Sequence, residues 1–217
     1  ETPTGLVTVY VKWENHMVAS INLENVPAFL YRKDLHIDLA GYGDVSVDIG
    51  YGGNFFVLAD VHSLGLTITK DTVNLLRSLS KDILAAANKV IKVAHPTNPA
   101  INYLDQVLFC QNVPEEDGGY LAQCIFGDAQ ADISPCGTGT STRLAQRYFR
   151  GLIGLEETFV QKSVCGGAFH AKGLRETTLG GVPAIVPYVS CSDVHITGFN
   201  HLIVEENDKL KNGFVSW

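Results

Sequence analysis

The sequence predicts a β-rich protein of the α+β class. Most of the chain consists of short apolar segments separated by turn-forming Gly and Pro, which is typical of strands. Two longer stretches are predicted to be helices, one from its apolar periodicity and one from the signals at its ends. With 217 residues, 46% of them hydrophobic, the chain is long enough to bury a substantial core as one large or two small domains.

Strands are predicted early in the chain, where apolar residues alternate or cluster between Pro and Gly. The clearest of these are residues 5–11, 17–23 and 45–49. Residues 71–93 are predicted to form an amphipathic helix, because apolar residues recur there at steps of three and four. We expect this helix to end before Pro96, since the residue preceding a proline disfavours helical backbone.

The middle of the chain predicts a hairpin followed by a second helix. Residues 103–109 and 120–126 are strand-like, and the acidic, glycine-containing segment at 114–119 is typical of an exposed loop between paired strands. The second helix is predicted at residues 137–150, with Gly151 just beyond its C-terminus. Four further strands are predicted at residues 158–164, 167–173, 182–189 and 194–204.

The overall charge excludes some classes of partner. A net charge of −7 and a pI near 5.4 argue against nucleic acid and anionic membrane, both of which the protein's field would repel. No apolar run approaches the roughly 18 residues of a membrane span, so we expect a soluble, cytoplasmic protein. The chain starts at Glu1 and contains a single methionine, Met17, which suggests a piece of a longer protein.

Five cysteines are present, an odd number with no C-x-x-C pair, so neither a disulfide framework nor a zinc site is predicted. Cys110, Cys124, Cys165 and Cys191 are interpreted as structural, most of them as small apolar side chains of the core. The fifth, Cys136, lies in a segment of a different kind.

That segment is DISPCGTGTS, residues 132–141, between a predicted strand and the second helix. Glycine costs about 1 kcal/mol in a helix relative to alanine, so this composition is a poor helix start for stability alone. Glycines do let a ligand approach the free N–H groups at a helix N-terminus, where the dipole favours a carboxylate. The same dipole lowers the pKa of a thiol, which makes Cys136 a candidate base or nucleophile.

Asp132 lies four residues before this cysteine and is a candidate partner for an ammonium group. Helix amides, a thiolate and a carboxylate within nine residues therefore suit an amino acid as the ligand. A Gly-Thr-Gly-Thr run is also typical of a loop that only packs closely, and spacing alone leaves both interpretations open.

The DISPCGTGTS run resembles the second catalytic motif of the proline racemase family, usually DRSPCGTGTS, with Ile133 in place of the arginine. Other family segments are similar to VDIGYGGNFF at residues 47–56, ETPTGLV at 1–7, ITG at 196–198 and LKNGF at 210–214. The resemblance extends over essentially the whole chain.

The resemblance implies a cofactor-independent enzyme of the diaminopimelate epimerase-like fold, with no metal. Two pseudo-symmetric, β-rich, barrel-like halves each wrap around a helix, hold a proline or hydroxyproline between them, and supply one thiol each as acid and base. On this basis Cys136 is catalytic. The substrate-binding residues implied are Asp132 for the ring nitrogen, the amides of Gly137 and Thr138 for the carboxylate, Phe126 and Gln106 beside the ring, and Asn54 in the cleft.

The chain departs from the family pattern because the first catalytic cysteine, in a C-G-H motif before the E-T-P block, lies outside these 217 residues. The resemblance then makes residues 21–196 a complete second half and residues 1–20 and 197–217 remnants of the first. We expect exposed apolar surface at both ends and weak or absent activity of the fragment alone. Full-length relatives of this kind are commonly homodimers.

Cysteine at position 136 favours racemisation or epimerisation, because many trans-3-hydroxyproline dehydratases of the family carry threonine there. Phe126 favours proline as the substrate, whereas Gln106 leaves hydroxyproline open. A dehydratase, a thiol hydrolase that uses Cys136 as its nucleophile, and a non-catalytic amino-acid-binding paralogue are the alternatives.

Overall fold

A computed structural model describes residues 2–192 and 194–213. The strands are β1 (Thr8–Glu14), β2 (Met17–Glu24), β3 (Phe29–Leu39), β4 (Gly43–Tyr51), β5 (Phe55–Asp60), β6 (Gln106–Cys110), β7 (Tyr120–Phe126), β8 (Gln130–Ala131), β9 (Phe159–Lys162), β10 (Ala168–Leu179) and β11 (Val182–Cys191). The α-helices are α1 (Val73–Val90) and α2 (Gly137–Phe149). Neither helix is long and apolar enough to cross a membrane.

The strands form one mixed sheet in the order β1-β2-β11-β10-β9-β7-β6-β5-β4-β3, with β8 paired to β7. The β5–β6 and β7–β9 pairs are parallel and the other pairs are antiparallel. Ala28, the residue before β3, forms an antiparallel β-bridge with Ile185 of β11. The β3 end of the sheet therefore lies against β11, near the other end. The sheet therefore curls around α2, which packs against β3, β4, β10 and β11. This is the predicted α+β fold, a β-rich body wrapped around a helix.

Helix α2 is the more deeply buried of the two helices, and residues 139–145 are all enclosed. Arg143 is fully buried, and its guanidinium donates to the carbonyls of Leu121 at 3.0 Å and Gln111 at 2.7 Å. It also lies 5.5 Å and 5.4 Å from the ring centres of Tyr120 and Phe159, a cation–π arrangement. These contacts fix α2 to β7, to β9 and to the residue that follows β6.

Helix α1 packs against β3, β5, β6, β7 and β8 and contributes to the larger apolar core. It spans fewer residues than predicted, because the backbone of Ile91 is extended with φ −136° and ψ 145°. The apolar periodicity that predicted the longer helix includes Val93, which is buried but lies in an irregular segment after the helix end. Its buried face consists of Leu76, Leu79, Ser80, Ile83 and Ala87.

Two local predictions are confirmed and one is wrong. Strands β6 and β7 form the predicted antiparallel hairpin, and Gly151 follows α2 with a left-handed φ of 71°. The strand predicted at 194–204 does not form, and Phe199, Leu202 and Ile203 are 87%, 89% and 85% exposed. Both edges of the preceding strand, β11, are taken by β2 and β10, so this segment cannot pair with the strand it follows, and residues 194–204 pair with no other described strand.

Apolar side chains are exposed near both ends of the chain, as expected from the sequence. In β1, Val9, Tyr10, Val11 and Trp13 lie on the surface. Towards the C-terminus the exposed apolar side chains are Ile196, Phe199, Leu202, Ile203, Val204 and Leu210. Glu1 and residues 214–217, which belong to the segments interpreted above as remnants, lie outside the described residues.

The C-terminus of α2 is anchored by a buried carboxylate. Asp48, only 4% exposed, accepts hydrogen bonds from Arg150 at 2.6 and 2.7 Å, from Gln146 at 2.7 Å, and from the amide of Asp34 at 2.9 Å. Burial alone would raise the pKa of Asp48, but the donors outweigh it and hold that pKa below its usual value. The carboxylate is therefore ionised and fully partnered.

Replacing Arg150 with methionine leaves this carboxylate buried without its cation, and we expect the free energy of unfolding in urea to fall by about 3–5 kcal/mol. Because the pKa of Asp48 is lower in the folded state, its contribution is complete above the unfolded pKa of about 3.9 and is lost as the pH falls through the folded value. Lys81→Met, which removes an exposed pair with Asp128, is the control and should cost no more than about 1 kcal/mol. Equal effects of the two substitutions would contradict the assignment.

Candidate active site

Cys136 lies at the N-terminus of α2, 7% exposed, with φ 67° and ψ 110°. Such a backbone costs a non-glycine residue about 1–3 kcal/mol and persists only where the surroundings enforce it. The Cys136 sulfur accepts a hydrogen bond from the amide of Gly139 at 3.3 Å and lies 3.7 Å from the hydroxyl of Thr138. A Cβ on Gly139 would lie 3.1 Å from this sulfur, so the glycine permits the close approach.

Hydrogen bonds within the preceding loop hold the cysteine in this position. The amide of Ser134 donates to the Asp132 carboxylate at 2.8 Å, and the amide of Cys136 donates to the Ser134 hydroxyl at 3.0 Å. The side chains of Asp132 and Ser134 thus each accept a hydrogen bond from the amide two residues further along the chain. The loop presents the thiol and the Asp132 carboxylate together.

Three polar side chains from outside the loop bind its carbonyl groups. Gln123 donates to the carbonyl of Asp132 at 2.8 Å, Ser163 to that of Ile133 at 2.8 Å, and Gln161 to that of Pro135 at 2.7 Å. None of these three residues was predicted from the sequence to belong to the site. Gln123 and Gln161 carried a signal, since each is a polar residue in an otherwise apolar stretch of strand. Gln123, Gln161 and Ser163 are all buried.

The N-terminus of α2 provides donors for an anion. The amide of Gly139 is used by the Cys136 sulfur and that of Thr140 by the Cys136 carbonyl. The amides of Gly137 and Thr138 have no acceptor among residues 2–192 and 194–213. Both residues are only half-buried, so a carboxylate can reach these amides from outside.

A second thiol lies beside Cys136. The sulfur atoms of Cys124 and Cys136 and a carboxylate oxygen of Asp132 all lie within 4.8 Å of one another. Cys124 is 2% exposed, so its interpretation as a buried side chain is confirmed, but the sequence analysis missed its proximity to Cys136. Phe126 lies two residues further along β7, so its side chain is on the same face of the strand as that of Cys124. The predicted position of Phe126 at the site was therefore a signal that Cys124 lies there too.

The two thiols act on each other's pKa. Interaction with the Cys124 thiol has the largest influence on the pKa of Cys136, followed by burial, which opposes ionisation, and by the donors Gly139 and Thr138. The net effect lowers the pKa of Cys136, whereas the same interaction and burial raise the pKa of Cys124. Cys136 is therefore the more acidic thiol of the pair and the one favoured as a thiolate.

The remaining predicted residues lie around this centre. Phe126 packs against the apolar cluster that contains Cys136, and it pairs directly with Gln106 across β6 and β7. The turn that carries Asn54 packs on α2, since a Cβ on Gly52 would lie 2.6 Å from the carbonyl oxygen of Thr138. The structure thus brings all seven predicted residues to the region of the α2 N-terminus and the strands beneath it.

Two further residues singled out from the sequence are exposed at the surface. Ile133 is 76% exposed, so the replacement of the usual arginine changes the protein surface. Cys165, interpreted above as structural, is exposed in the turn between β9 and β10 and does not belong to the core. The turn is closed by a hydrogen bond from the amide of Gly166 to the carbonyl of Ser163.

Comparison with known proteins identifies similar chains. Residues 1–215 match the family model described as proline racemase. The chain is 37% identical to a trans-3-hydroxy-L-proline dehydratase of Burkholderia cenocepacia, over 99% of this chain and 64% of that protein. It is 36% identical to a proline racemase of Acetoanaerobium sticklandii, with the same coverage. The chain therefore spans 64% of the length of these curated relatives.

Among solved structures, a hydroxyproline epimerase from Agrobacterium vitis superposes with a TM-score of 0.84 at 30% identity. The match covers 98% of this chain and 60% of the other. That structure holds bound trans-4-hydroxy-L-proline. The arrangement of strands around α2 is thus the one found in this epimerase.

The influence of Cys124 on the pKa of Cys136 predicts the pH at which Cys136 becomes reactive. Alkylation of Cys136 by iodoacetamide, followed by mass spectrometry of its peptide across a pH series, should have a midpoint below the reference thiol pKa of about 8.5. Cys124→Ala removes the donor and should move the midpoint upward, whereas Cys124→Ser keeps a donor and should move it less. A midpoint that is the same in all three proteins would show that Cys124 does not stabilise the thiolate.

Proposed function

Because the chain belongs to the proline racemase family, we propose that it supplies the second half of a cofactor-independent racemase or epimerase acting at the α-carbon of proline or hydroxyproline. The observation that carries this proposal is the juxtaposition of a thiolate, a carboxylate and two unpaired helix amides at the N-terminus of α2. Racemases and epimerases, which are isomerases, are among its relatives.

In the proposed complex the substrate spans this N-terminus. Its carboxylate accepts hydrogen bonds from the amides of Gly137 and Thr138, and its ring nitrogen binds Asp132. The α-carbon then lies against the sulfur of Cys136, and the ring lies towards Phe126 and the turn of Asn54. Gln106, opposite Phe126, offers a polar group to a hydroxylated ring, which favours hydroxyproline as well as proline. The amino acid bound in the epimerase from Agrobacterium vitis supports a ligand of this class.

Inversion requires a base on one face of the α-carbon and an acid on the other. The Cys136 thiolate takes the α-proton, the amides at the α2 N-terminus stabilise the charge that develops on the carboxylate, and a second acid returns a proton to the opposite face. Cys124 is unsuited to be that acid, because it is buried on the same side as Cys136. We propose that a thiol from a segment outside these 217 residues supplies it, as the two-thiol resemblance implies.

The proposed division of the chain follows from the same reasoning. Residues 21–196 form the complete second half, and residues 1–20 and 197–217 belong to the first half. The exposed apolar side chains of β1 and of residues 196–210 support this division, because they are surfaces that another part of a protein would cover. The proposed whole protein is a cytoplasmic homodimer, and these 217 residues alone have weak or no activity.

A dehydratase is the second candidate, favoured by the names of relatives that are 37% identical over nearly the whole chain. Its reaction starts with the same removal of the α-proton but ends with loss of the 3-hydroxyl group as water, so it needs an acid near C3 instead of one on the opposite face. Cys136 favours the racemase, since the resemblance associates dehydratases with threonine there. A thiol hydrolase is less favoured, because no histidine is among the hydrogen-bond partners of Cys136 in the described part of the chain.

The proposal predicts exchange of the substrate α-proton. Proton NMR of L-proline and trans-4-hydroxy-L-proline in heavy water should show exchange with inversion by a version extended upstream, and little or none by the 217 residues alone. Cys136→Ser should slow the exchange by about 10²–10⁴-fold, the usual contribution of a general base.

The exchange measured with the two lengths of the chain distinguishes the proposals. Full activity of the 217 residues alone would contradict the division into halves, and absence of exchange by every version would contradict the racemase. Loss of water from trans-3-hydroxy-L-proline without inversion of the other substrates would establish the dehydratase. Saturable binding without any turnover would establish an amino-acid-binding protein.

A further inference from the structure

Three ligand-type side chains converge from three elements of the fold. Cys124 comes from β7, Asp132 from the loop after β8, and Cys136 from the N-terminus of α2. Their sulfur and oxygen atoms lie within 4.8 Å of one another. The proposed reaction uses Asp132 and Cys136, whereas Cys124 acts there only through the pKa of Cys136 and has no contact with the substrate.

We propose that Cys124, Asp132 and Cys136 form a binding site for a soft divalent cation of the Zn²⁺ type. Two sulfur ligands and one carboxylate are a donor set that selects zinc or cadmium over magnesium and calcium. Binding releases the remaining thiol protons to solvent and involves no redox change. The fourth ligand position is open to water.

The geometry requires little adjustment. Zinc–sulfur bonds of about 2.3 Å and zinc–oxygen bonds of about 2.0–2.2 Å place tetrahedral ligand atoms roughly 3.5–3.8 Å apart. A spread of at most 4.8 Å is therefore closed by small side-chain rotations. The two thiols are buried and Asp132 is half-buried, so the cation enters from the side of Asp132.

The backbone around the ligands is fixed in advance. The amide of Asp132 donates to the carbonyl of Cys124 at 3.0 Å, which joins two of the ligand residues directly. The Asp132 carboxylate is oriented by the amide of Ser134, and the Cys136 sulfur by the amide of Gly139. Supporting hydrogen bonds of this kind orient metal ligands in known sites.

The charge of the cluster favours a cation. The charged groups that act most strongly on Cys124 are Cys136, Asp132 and Asp105, all of them acidic. The same negative field would attract the substrate ammonium group in the proposed reaction, so the cation and the amino acid compete for one place. This competition rests on the proposed function, whereas the metal site itself does not.

Cadmium titration tests the site without any measurement of activity. The protein is reduced, freed of metal with EDTA, and titrated with Cd²⁺ while the thiolate-to-cadmium charge-transfer absorption is followed in the ultraviolet. We expect one ion with the absorption of two thiolates. Competition with a chromophoric chelator then gives the affinity for Zn²⁺.

Substitutions identify the ligands. Cys124→Ser should halve the absorption and weaken Zn²⁺ binding at least tenfold, whereas Asp132→Asn should keep the absorption and weaken binding. Cys110→Ser and Cys165→Ser are matched controls and should change neither the absorption nor the affinity. Cys110 is a buried thiol of the same apolar cluster but not one of the three ligands, and Cys165 is an exposed thiol. Circular dichroism verifies that each variant is folded.

Three results would overturn the proposal. They are the absence of a charge-transfer band in the wild-type protein, unchanged absorption and affinity in Cys124→Ser, and loss of the band in Cys165→Ser, which would assign the ion to a surface thiol. Because each result is a binding measurement, failure of the racemase proposal would leave the test of the metal site intact.

Discussion

The site depends on the backbone of Cys136, which is held at φ 67° at the first turn of an enclosed helix. A non-glycine residue adopts this conformation at a cost of about 1–3 kcal/mol, and each net hydrogen bond contributes about 1 kcal/mol. The hydrogen bonds from Gln123, Gln161 and Ser163 to the loop carbonyls are therefore together of the size needed to offset it. The strain is local, but the residues that maintain it come from β7, from β9 and from the residue just after β9.

The position of α2 inside the sheet explains why the site can be both rigid and accessible. Arg143 fixes the middle of the helix to the backbone carbonyls of Leu121 and Gln111. Arg150 fixes its C-terminus to the buried Asp48. At its N-terminus Gly137 and Thr138 are half-buried, and their amides are unused by the described part of the chain. The helix therefore presents its donors at a place where its own movement is restricted, which is what preorganised binding of a carboxylate requires.

The sequence predicted those parts of the site that are contiguous in the chain. The run from Asp132 to Ser141 contains the thiol, the carboxylate and the amides, so these candidates could be named without the fold. Cys124 and Gln161 reach the same place only through the pairing of β7 with β8 and β9, which is long-range and invisible to local pattern. The strand predicted at 194–204 failed for the same reason, since whether a segment finds a partner strand is decided by the whole sheet and not by local pattern.

The role of Cys124 can be argued from what each chemistry requires at its position. To lower the pKa of Cys136, a side chain needs only to donate a hydrogen bond, and a serine hydroxyl is a better donor than a thiol. To hold a soft cation, the side chain needs a polarisable sulfur that can lose its proton, which serine does not offer. Stabilisation of the thiolate therefore does not by itself require cysteine at position 124, whereas metal binding does. The arrangement that lowers the pKa of Cys136 also places two sulfur ligands side by side, and occupancy by a cation would block the proposed base.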